Sequence, residues 1–451
     1  MKILAKKNQL SGHIVVPGSK SHTIRALILA SLAEGISHIS NPLPSADCVS
    51  ASKAIQEIGA TVKFDDENNV WIVTGAGKNV HLPSNVVDVG NSGSVLYFFT
   101  PICATFEGWS IFTGDSSIRK RPVAHLLEAL KQLGANCYVS RPEENAPPAL
   151  VQGPIKAGKV VTDGRLSQYI SGLMMASTLI DGKLEIELTD PKEVPYLDMT
   201  KYWLESLGVQ VEMSSDYKKI SITGPYELKS FDKAIPSDWE AVAFPLIASL
   251  ISDSKITIDN VDGSGTQGDD AIVSVLQSVG ADILWDKEKS QLVVTGGNRL
   301  STENLPEKTL RVNLAGFPDA ICALAVIACF IDGTTILEDI EVCRKKETDR
   351  ILVMKSELEK LGATLEEGDD CLIIYGTSPI LPNGQKNPNF ALHGGTVESY
   401  DDHRVAMSLA CLGLGLPEGE SVIVNDAECC SVSFPNFFEV MNKINANFKE
   451  I

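Results

Sequence analysis

The sequence predicts an α/β fold of two lobes, each built from three copies of one unit with its helices inside and its sheets outside. The first observation behind this is a repeat. Helical stretches close on Ile-Gly-Ala at Gly59, Leu-Gly-Ala at Gly134, Leu-Gly-Val at Gly208, Val-Gly-Ala at Gly280, Leu-Gly-Ala at Gly362 and Ile-Asn-Ala at Asn445, spaced by 75, 74, 72, 82 and 83 residues. Glycine and asparagine tolerate the left-handed conformation that a helix C-terminus needs, and a period this long marks a repeated supersecondary unit. The second observation is the pattern after each closure: an alternating apolar run, a polar turn, and a second run that mostly ends in glycine, as over residues 61–75, 210–224, 282–296 and 364–376. Period-two alternation turns one strand face inward and the other outward. The third is that residues 239–251 and 319–330 are nearly continuous apolar runs of helical length. Helices that are apolar all round belong in a core.

Three units precede about residue 236 and three come after it, so a crossover is placed in Lys233-Ala234-Ile235-Pro236-Ser237-Asp238. One lobe then takes residues 17–236 and the other takes 1–16 and 237–451. Residues 1–16 read as a strand pair, Lys2-Ile3-Leu4 and 11–16 about a polar turn, able to complete either half. Two such lobes are expected to meet at a cleft, the default place for a ligand.

Composition narrows the function. A length of 451 residues calls for more than one core. No apolar run reaches the roughly 18 residues that span a membrane, and the N-terminus lacks a signal-peptide apolar segment. Ten scattered cysteines include no Cys-x-x-Cys pair; Cys322, Cys329 and Cys411 lie in apolar surroundings and read as reduced core thiols of a cytoplasmic protein, not as a disulfide framework or a zinc site. A formal net charge of −19 argues against nucleic acid. Against it stand short basic clusters: Lys20 with Arg25, Arg119-Lys120-Arg121, and Arg344-Lys345-Lys346 with Arg350. Such clusters suit a pocket for a small anion, and equally solvated surface.

Five segments carry the chemistry. In Pro17-Gly18-Ser19-Lys20-Ser21-His22-Thr23-Ile24-Arg25 a turn leads into an apolar helix near Ser21, with Lys20 at its N-terminus and Arg25 about one turn in. A helix N-terminus, a lysine and an arginine bind anions well; a capped helix with surface bases is the alternative. Gly90-Asn91-Ser92-Gly93-Ser94 can present backbone N–H groups to a carboxylate or phosphate, or be an ordinary cap. In the loop 113–122, Arg121 is held extended by Pro122 and is the base best fixed, although a mobile surface loop reads the same way. In Lys346-Glu347-Thr348-Asp349-Arg350, Lys346 and Arg350 share a face if the helix has begun, and Glu347 lies between two cations; a surface salt-bridge lattice is the alternative. In Tyr400-Asp401-Asp402-His403-Arg404 the aspartates suit a helix N-terminus, whereas Arg404 needs an anionic partner there.

These segments, in this order, with the six-fold repeat and the length, resemble the 5-enolpyruvylshikimate-3-phosphate (EPSP) synthase family across essentially the whole chain. The resemblance implies a two-lobed inside-out α/β barrel of six βαβαββ repeats whose lobes close on phosphoenolpyruvate and an alcohol acceptor. It implies enolpyruvyl transfer: the acceptor hydroxyl adds to C2 while C3 takes a proton, then phosphate leaves and C3 loses a proton. Such chemistry needs a base at the hydroxyl, an acid–base group at C3 and a cationic shell for the phosphate and carboxylate. By resemblance Asp319, in Gly316-Phe317-Pro318-Asp319-Ala320, falls at the hydroxyl base, Glu347 at the C3 group, and Lys20 among the catalytic residues. Lys20, Gly93, Arg121, Gln168, Arg350 and Arg404 fall at phosphoenolpyruvate-binding positions; Ser21, Arg25, Ser167, Gln168, Tyr196, Asp319 and Lys346 fall at acceptor-binding positions. No metal and no organic cofactor is implied, and a cytoplasmic monomer is expected.

The resemblance implies shikimate-3-phosphate as the acceptor, through its 5-hydroxyl, which places the reaction in the shikimate pathway of aromatic amino acid biosynthesis. Three departures bear on this. Leu166 and Glu193 stand where the family has residues that help hold the acceptor's phosphate, and Tyr97 stands in Val95-Leu96-Tyr97, where an arginine is usual nearby. A divergent homologue serving another cyclic alcohol is therefore a second reading, and a non-catalytic binding protein of the same fold a third. A sister enzyme that uses a UDP-sugar usually carries a catalytic cysteine in the loop matching 113–121, and this chain has none there.

Overall fold

The structure, a computed structural model, describes residues 1–451. It divides into two compact units: unit 1 comprises Met1–Pro17 and Ser237–Ile451, unit 2 comprises Gly18–Pro236. Twelve α-helices alternate along the chain between two environments. The odd-numbered set is α1 (Lys20–Leu32), α3 (Gly93–Cys103), α5 (Ser167–Ala176), α7 (Trp239–Ile251), α9 (Ile321–Ala328) and α11 (His403–Gly415). Nearly every side chain on these helices is buried. The even-numbered set is α2 (Ala46–Gln56), α4 (Ala124–Gln132), α6 (Val194–Glu205), α8 (Ala271–Ser278), α10 (Arg350–Glu359) and α12 (Phe437–Lys443), each buried on one face only.

Six separate sheets cover these helices, three in each unit. Their shared plan is a parallel pair extended by two antiparallel strands. In the second repeat, Val87–Asp88 runs parallel to Gly108–Thr113, which pairs antiparallel with Ala149–Gly153, which pairs with Asn136–Val139. With α3 and α4 between them these strands make one βαβαββ unit. Outer faces alternate with buried ones, as in Ala149–Gly153 and Lys255–Asp259. The sheets are not hydrogen-bonded edge to edge into a closed barrel.

The N-terminal strands differ from the expected strand pair. Ile3–Lys6 pairs with Ser421–Asn425 and Lys449–Glu450, whereas Ser11–Val15 runs parallel to Lys255–Asp259 in another sheet of unit 1. The short segment between them reads as a hairpin turn by composition, yet each strand finds its partner elsewhere in the chain. In unit 2 the matching edge position beside Ile36–Ser40 is taken by Asp232–Ala234, at that unit's C-terminal end.

The repeated glycine works as the sequence predicts. Gly59, Gly134, Gly208, Gly280, Gly362 and Asn445 all have positive φ. In every copy the next N–H reaches back five residues: Ala60 to Ile55, Ala135 to Leu130, Val209 to Leu204, Ala281 to Leu276, Ala363 to Leu358 and Ala446 to Met441. This is the bond that closes a helix on a left-handed residue. The glycines ending the second strand have a different cause. A Cβ on Gly75, Gly153, Gly224, Gly296 or Gly376 would overlap a carbonyl oxygen at or just beyond the C-terminus of α1, α3, α5, α7 or α9, respectively. Strand and inner helix therefore meet backbone to backbone, which fixes the helix depth and with it the position of each helix N-terminus.

All ten cysteines are free, and Cys322, Cys329 and Cys411 are buried. No helix is long and apolar enough to cross a membrane.

Candidate active site

In unit 1 the candidate residues converge on Arg350, the first residue of α10 and fully buried. Its Nε donates to Asp402 Oδ2 at 2.8 Å, its Nη2 to Glu347 Oε2 at 2.7 Å and to Asp402 Oδ1 at 3.3 Å, and its Nη1 pairs with Asp319. Asp402 is at once the N-cap of α11, accepting from the Arg404 N–H at 2.9 Å, and the clamp on Arg350. Asp319 lies in the 3-10 turn Pro318–Ala320 that precedes α9. Lys346 Nζ stands 3.7 Å from Asp319 Oδ2, and Arg404 Nε 3.6 Å from Asp319 Oδ1. Lys346 does not share a helical face with Arg350, because α10 begins only at Arg350 and Lys346 itself is non-helical. Asp319, not helix geometry, brings the two cations together.

Burial alone would push the Asp319 carboxyl up. Lys346, Arg404 and Arg350 outweigh it and hold the group well below the usual carboxylate range. Arg404 has the anionic partner that its place at a helix N-terminus requires, since its Nη2 pairs with Glu240 in the first turn of α7. Burial opposes the charge on both Arg350 and Arg404. The surrounding carboxylates, led by Asp402 for Arg350 and by Glu240 for Arg404, keep both guanidiniums firmly protonated. A fifth carboxylate, buried Asp269, faces this group, and burial, then Glu240 and Asp319, push it well above its ordinary value.

Unit 2 holds the remaining candidates. Ser19 caps α1 by accepting the His22 N–H, and Lys20 Nζ pairs with Asp47 at 3.2 Å. Arg25 is fully buried, with Nε on Thr200 Oγ1 (2.8 Å), Nη1 on Ser21 O (3.1 Å), and Nη2 on Ser171 Oγ (3.3 Å) and Tyr196 O (3.1 Å). Its guanidinium also lies 4.6 Å from the Phe98 ring centroid. Every one of these partners is neutral, and burial pulls the guanidinium down to about 9. Ser21 and Tyr196 thus meet Arg25 through their carbonyls, not their side chains.

Gly93 opens α3 directly beside Arg121: a Cβ there would stand 2.7 Å from Arg121 Nη1, so any larger residue would push the guanidinium out of this position. Arg121 is extended, with φ −72° and ψ 129°. Its loop is tied down: Asp115 Oδ1 accepts the Ser117 and Ile118 N–H groups at 2.9 Å, and Asn91 donates to Asp115 Oδ2 at 2.6 Å. Tyr97 also donates from its hydroxyl to Pro122 O at 2.8 Å. Tyr97 therefore has a positional task in fixing the backbone beside Arg121. Gln168 Nε2 donates to Ser94 Oγ at 3.1 Å, joining α5 to α3.

Leu166 and Glu193 prove to be one device. Leu166 occupies the N-cap position of α5 and has no side-chain acceptor to offer. Glu193 supplies it from outside the helix: its Oε2 accepts the Ser167 N–H at 3.2 Å and the Ser167 hydroxyl at 2.9 Å. Glu193 is 3% exposed and sits in the left-handed region at φ 51°.

Sequence reasoning passed over Glu240, Asp269 and the clamp by Asp402. The signal for Glu240 was present, as the one charged residue in the otherwise apolar run Trp239–Ile251. No group of three or more His, Cys, Asp and Glu side chains is arranged to hold a metal ion.

The EPSP synthase (3-phosphoshikimate 1-carboxyvinyltransferase) family matches the chain over residues 4–441. The chain is 37% identical over 439 residues to the 3-phosphoshikimate 1-carboxyvinyltransferase of Ruminiclostridium cellulolyticum, covering 97% of each chain. It is 38% identical over 447 residues to that of Acetivibrio thermocellus, covering 99% of each. Among solved structures, the EPSP synthase of Acinetobacter baumannii superposes with a TM-score of 0.80 at 23% identity over 99% of both chains. The enolpyruvyl transferase NikO of Streptomyces tendae superposes with a TM-score of 0.76 at 15% identity over 99% of this chain and 98% of that one. The chain belongs to the EPSP synthase (3-phosphoshikimate 1-carboxyvinyltransferase) family and is a transferase.

Proposed function

We propose that this enzyme moves the enolpyruvyl group of phosphoenolpyruvate to the 5-hydroxyl of shikimate-3-phosphate. The hydroxyl oxygen bonds to C2 of phosphoenolpyruvate as Asp319 takes its proton and C3 gains a proton from Glu347. The C2–O bond to phosphate then breaks, and C3 returns a proton to Glu347. Arg350, Arg404, Lys20, Arg121, Gly93 and Gln168 hold phosphoenolpyruvate. Arg25, Ser21, Ser167, Gln168, Tyr196 and Lys346 hold the acceptor. The enzyme acts as a cytoplasmic monomer on two small molecules; the net charge of −19 supports a reading without nucleic acid.

The observation that carries this is Asp319, a largely enclosed carboxylate kept ionised by three cations. While those cations are unshared it is a weak base. Substrate anions drawn to Lys346 and Arg404 loosen their hold and raise its basicity when a hydroxyl proton must be taken. Arg25 supports an anionic acceptor: it is a buried cation ringed by neutral groups, and buried charge calls for a counter-charge. Phosphate release should require both phosphoenolpyruvate and shikimate-3-phosphate in an acceptor panel. Release with another cyclic alcohol and none with shikimate-3-phosphate would overturn the assignment.

A further inference from the structure

Two groups near each other in unit 2 treat anions in opposite ways. Arg25 is a buried cation with no carboxylate partner, bonded to the Tyr196 carbonyl. Three residues back along the chain, the Glu193 carbonyl accepts the Tyr196 N–H at 3.1 Å, while its side chain holds both Ser167 donors. The N-terminus of a ten-residue helix and a serine hydroxyl form a natural seat for an anionic oxygen. Here that seat is already filled by the protein's own carboxylate.

We propose that Glu193 is a specificity-determining residue: its carboxylate is a resident competitor for the Ser167 donors, and the acceptor's phosphate binds by displacing it. This rests on the reading that the acceptor is phosphorylated and contacts Ser167. A phosphate brought beside Glu193 without displacement would meet like charge at short range in a desolvated setting. With displacement, α5 exchanges one anionic cap for another, and the cost is the lost Glu193 contacts. Acceptor affinity is therefore lowered by Glu193 specifically for phosphorylated acceptors, with no effect on phosphoenolpyruvate.

The test is Glu193→Gln beside Glu193→Ser. Glutamine keeps a carbonyl oxygen for Ser167, so α5 remains capped without the charge. Binding of shikimate-3-phosphate and of phosphate-free shikimate is measured by calorimetry, with KM for both substrates wherever turnover is seen. Both variants should bind shikimate-3-phosphate about tenfold more tightly, the scale of one charge-assisted hydrogen bond. Shikimate binding and the phosphoenolpyruvate KM should not move. Unchanged or weaker binding of shikimate-3-phosphate in both variants overturns the proposal, as does an equal gain for shikimate. A wild type that releases no phosphate with shikimate-3-phosphate refutes the proposed function instead, and calorimetry still decides the role of Glu193.

Discussion

The two units hold their buried arginines in opposite electrostatic settings. In unit 1, Arg350 and Arg404 are fastened by Asp402, Glu347, Asp319 and Glu240, four carboxylates against these two guanidiniums and Lys346. In unit 2, Arg25 is fastened by hydroxyls, carbonyls and the face of the Phe98 ring, with no carboxylate among its partners. A network neutralised from within keeps Asp319 ionised and holds its neighbours oriented, which suits proton transfer. A cation left without an anion keeps its charge for a ligand. One repeat, used six times, thus yields two kinds of site according to which acids stand at its helix N-termini.

The sharpest way to break this comparison is to remove one arginine from each unit. Arg350→Met leaves the buried Asp402, and Glu347 and Asp319 beside it, without their main partner, and breaking a buried pair costs about 3–5 kcal/mol. Urea unfolding should show that loss. Arg25→Met should change stability far less. Thr200 Oγ1 still reaches Ser171 Oγ at 2.8 Å and Tyr196 O at 2.9 Å, so those polar groups stay bonded, and a buried charge without a counter-ion is gone. Its loss should appear as acceptor binding too weak to detect by calorimetry. Equal destabilisation by both substitutions would erase the distinction between the units.

Asp269→Asn sharpens the picture of unit 1. Burial raises the folded-state value of Asp269 far above the unfolded value of about 3.9. Above that unfolded value the folded state binds the extra proton, so this group lowers stability as pH rises. Asparagine carries no such penalty. The stability gain of Asp269→Asn over wild type should therefore grow from pH 4 to pH 7 in urea titrations, and a constant difference would count against it. Asp319 has the opposite sign: its contribution is full above about 3.9 and disappears only in stronger acid.

The smallest effect belongs to Tyr97→Phe, which removes the bond to Pro122 O. It should cost about 1 kcal/mol of stability and raise the phosphoenolpyruvate KM modestly through Arg121. An unchanged KM would separate Tyr97 from the positioning of Arg121.

Much of the fold was legible because its strongest constraints are local. The six left-handed closures and the all-apolar inner helices are written in consecutive residues. The partners of Ile3–Lys6 and Ser11–Val15 were not legible, because each strand pairs with one more than two hundred residues away. The site divides in the same manner. Isolated charges inside apolar helices, such as Arg25, Glu240 and Arg404, are visible in sequence as charges that a core would not tolerate alone. What each pairs with is set by where helix N-termini come together. Hence the Glu240–Arg404 pair and the double duty of Asp402 emerge only in three dimensions. Leu166 and Glu193 show the same limit: as sequence they are two separate departures, and as structure they are a helix and its cap.

The central claim is that the carboxylate network of unit 1 performs the proton chemistry of enolpyruvyl transfer. Its most direct test is turnover of phosphoenolpyruvate with shikimate-3-phosphate in deuterated water, read by NMR at the vinyl methylene of the product, for wild type and Glu347→Ala. The account predicts deuterium in the wild-type methylene, because C3 gains and then loses a proton, and turnover reduced by about 10²–10⁴ in the variant. Product formed without deuterium, or a variant that turns over at the wild-type rate with the same labelling, would contradict it.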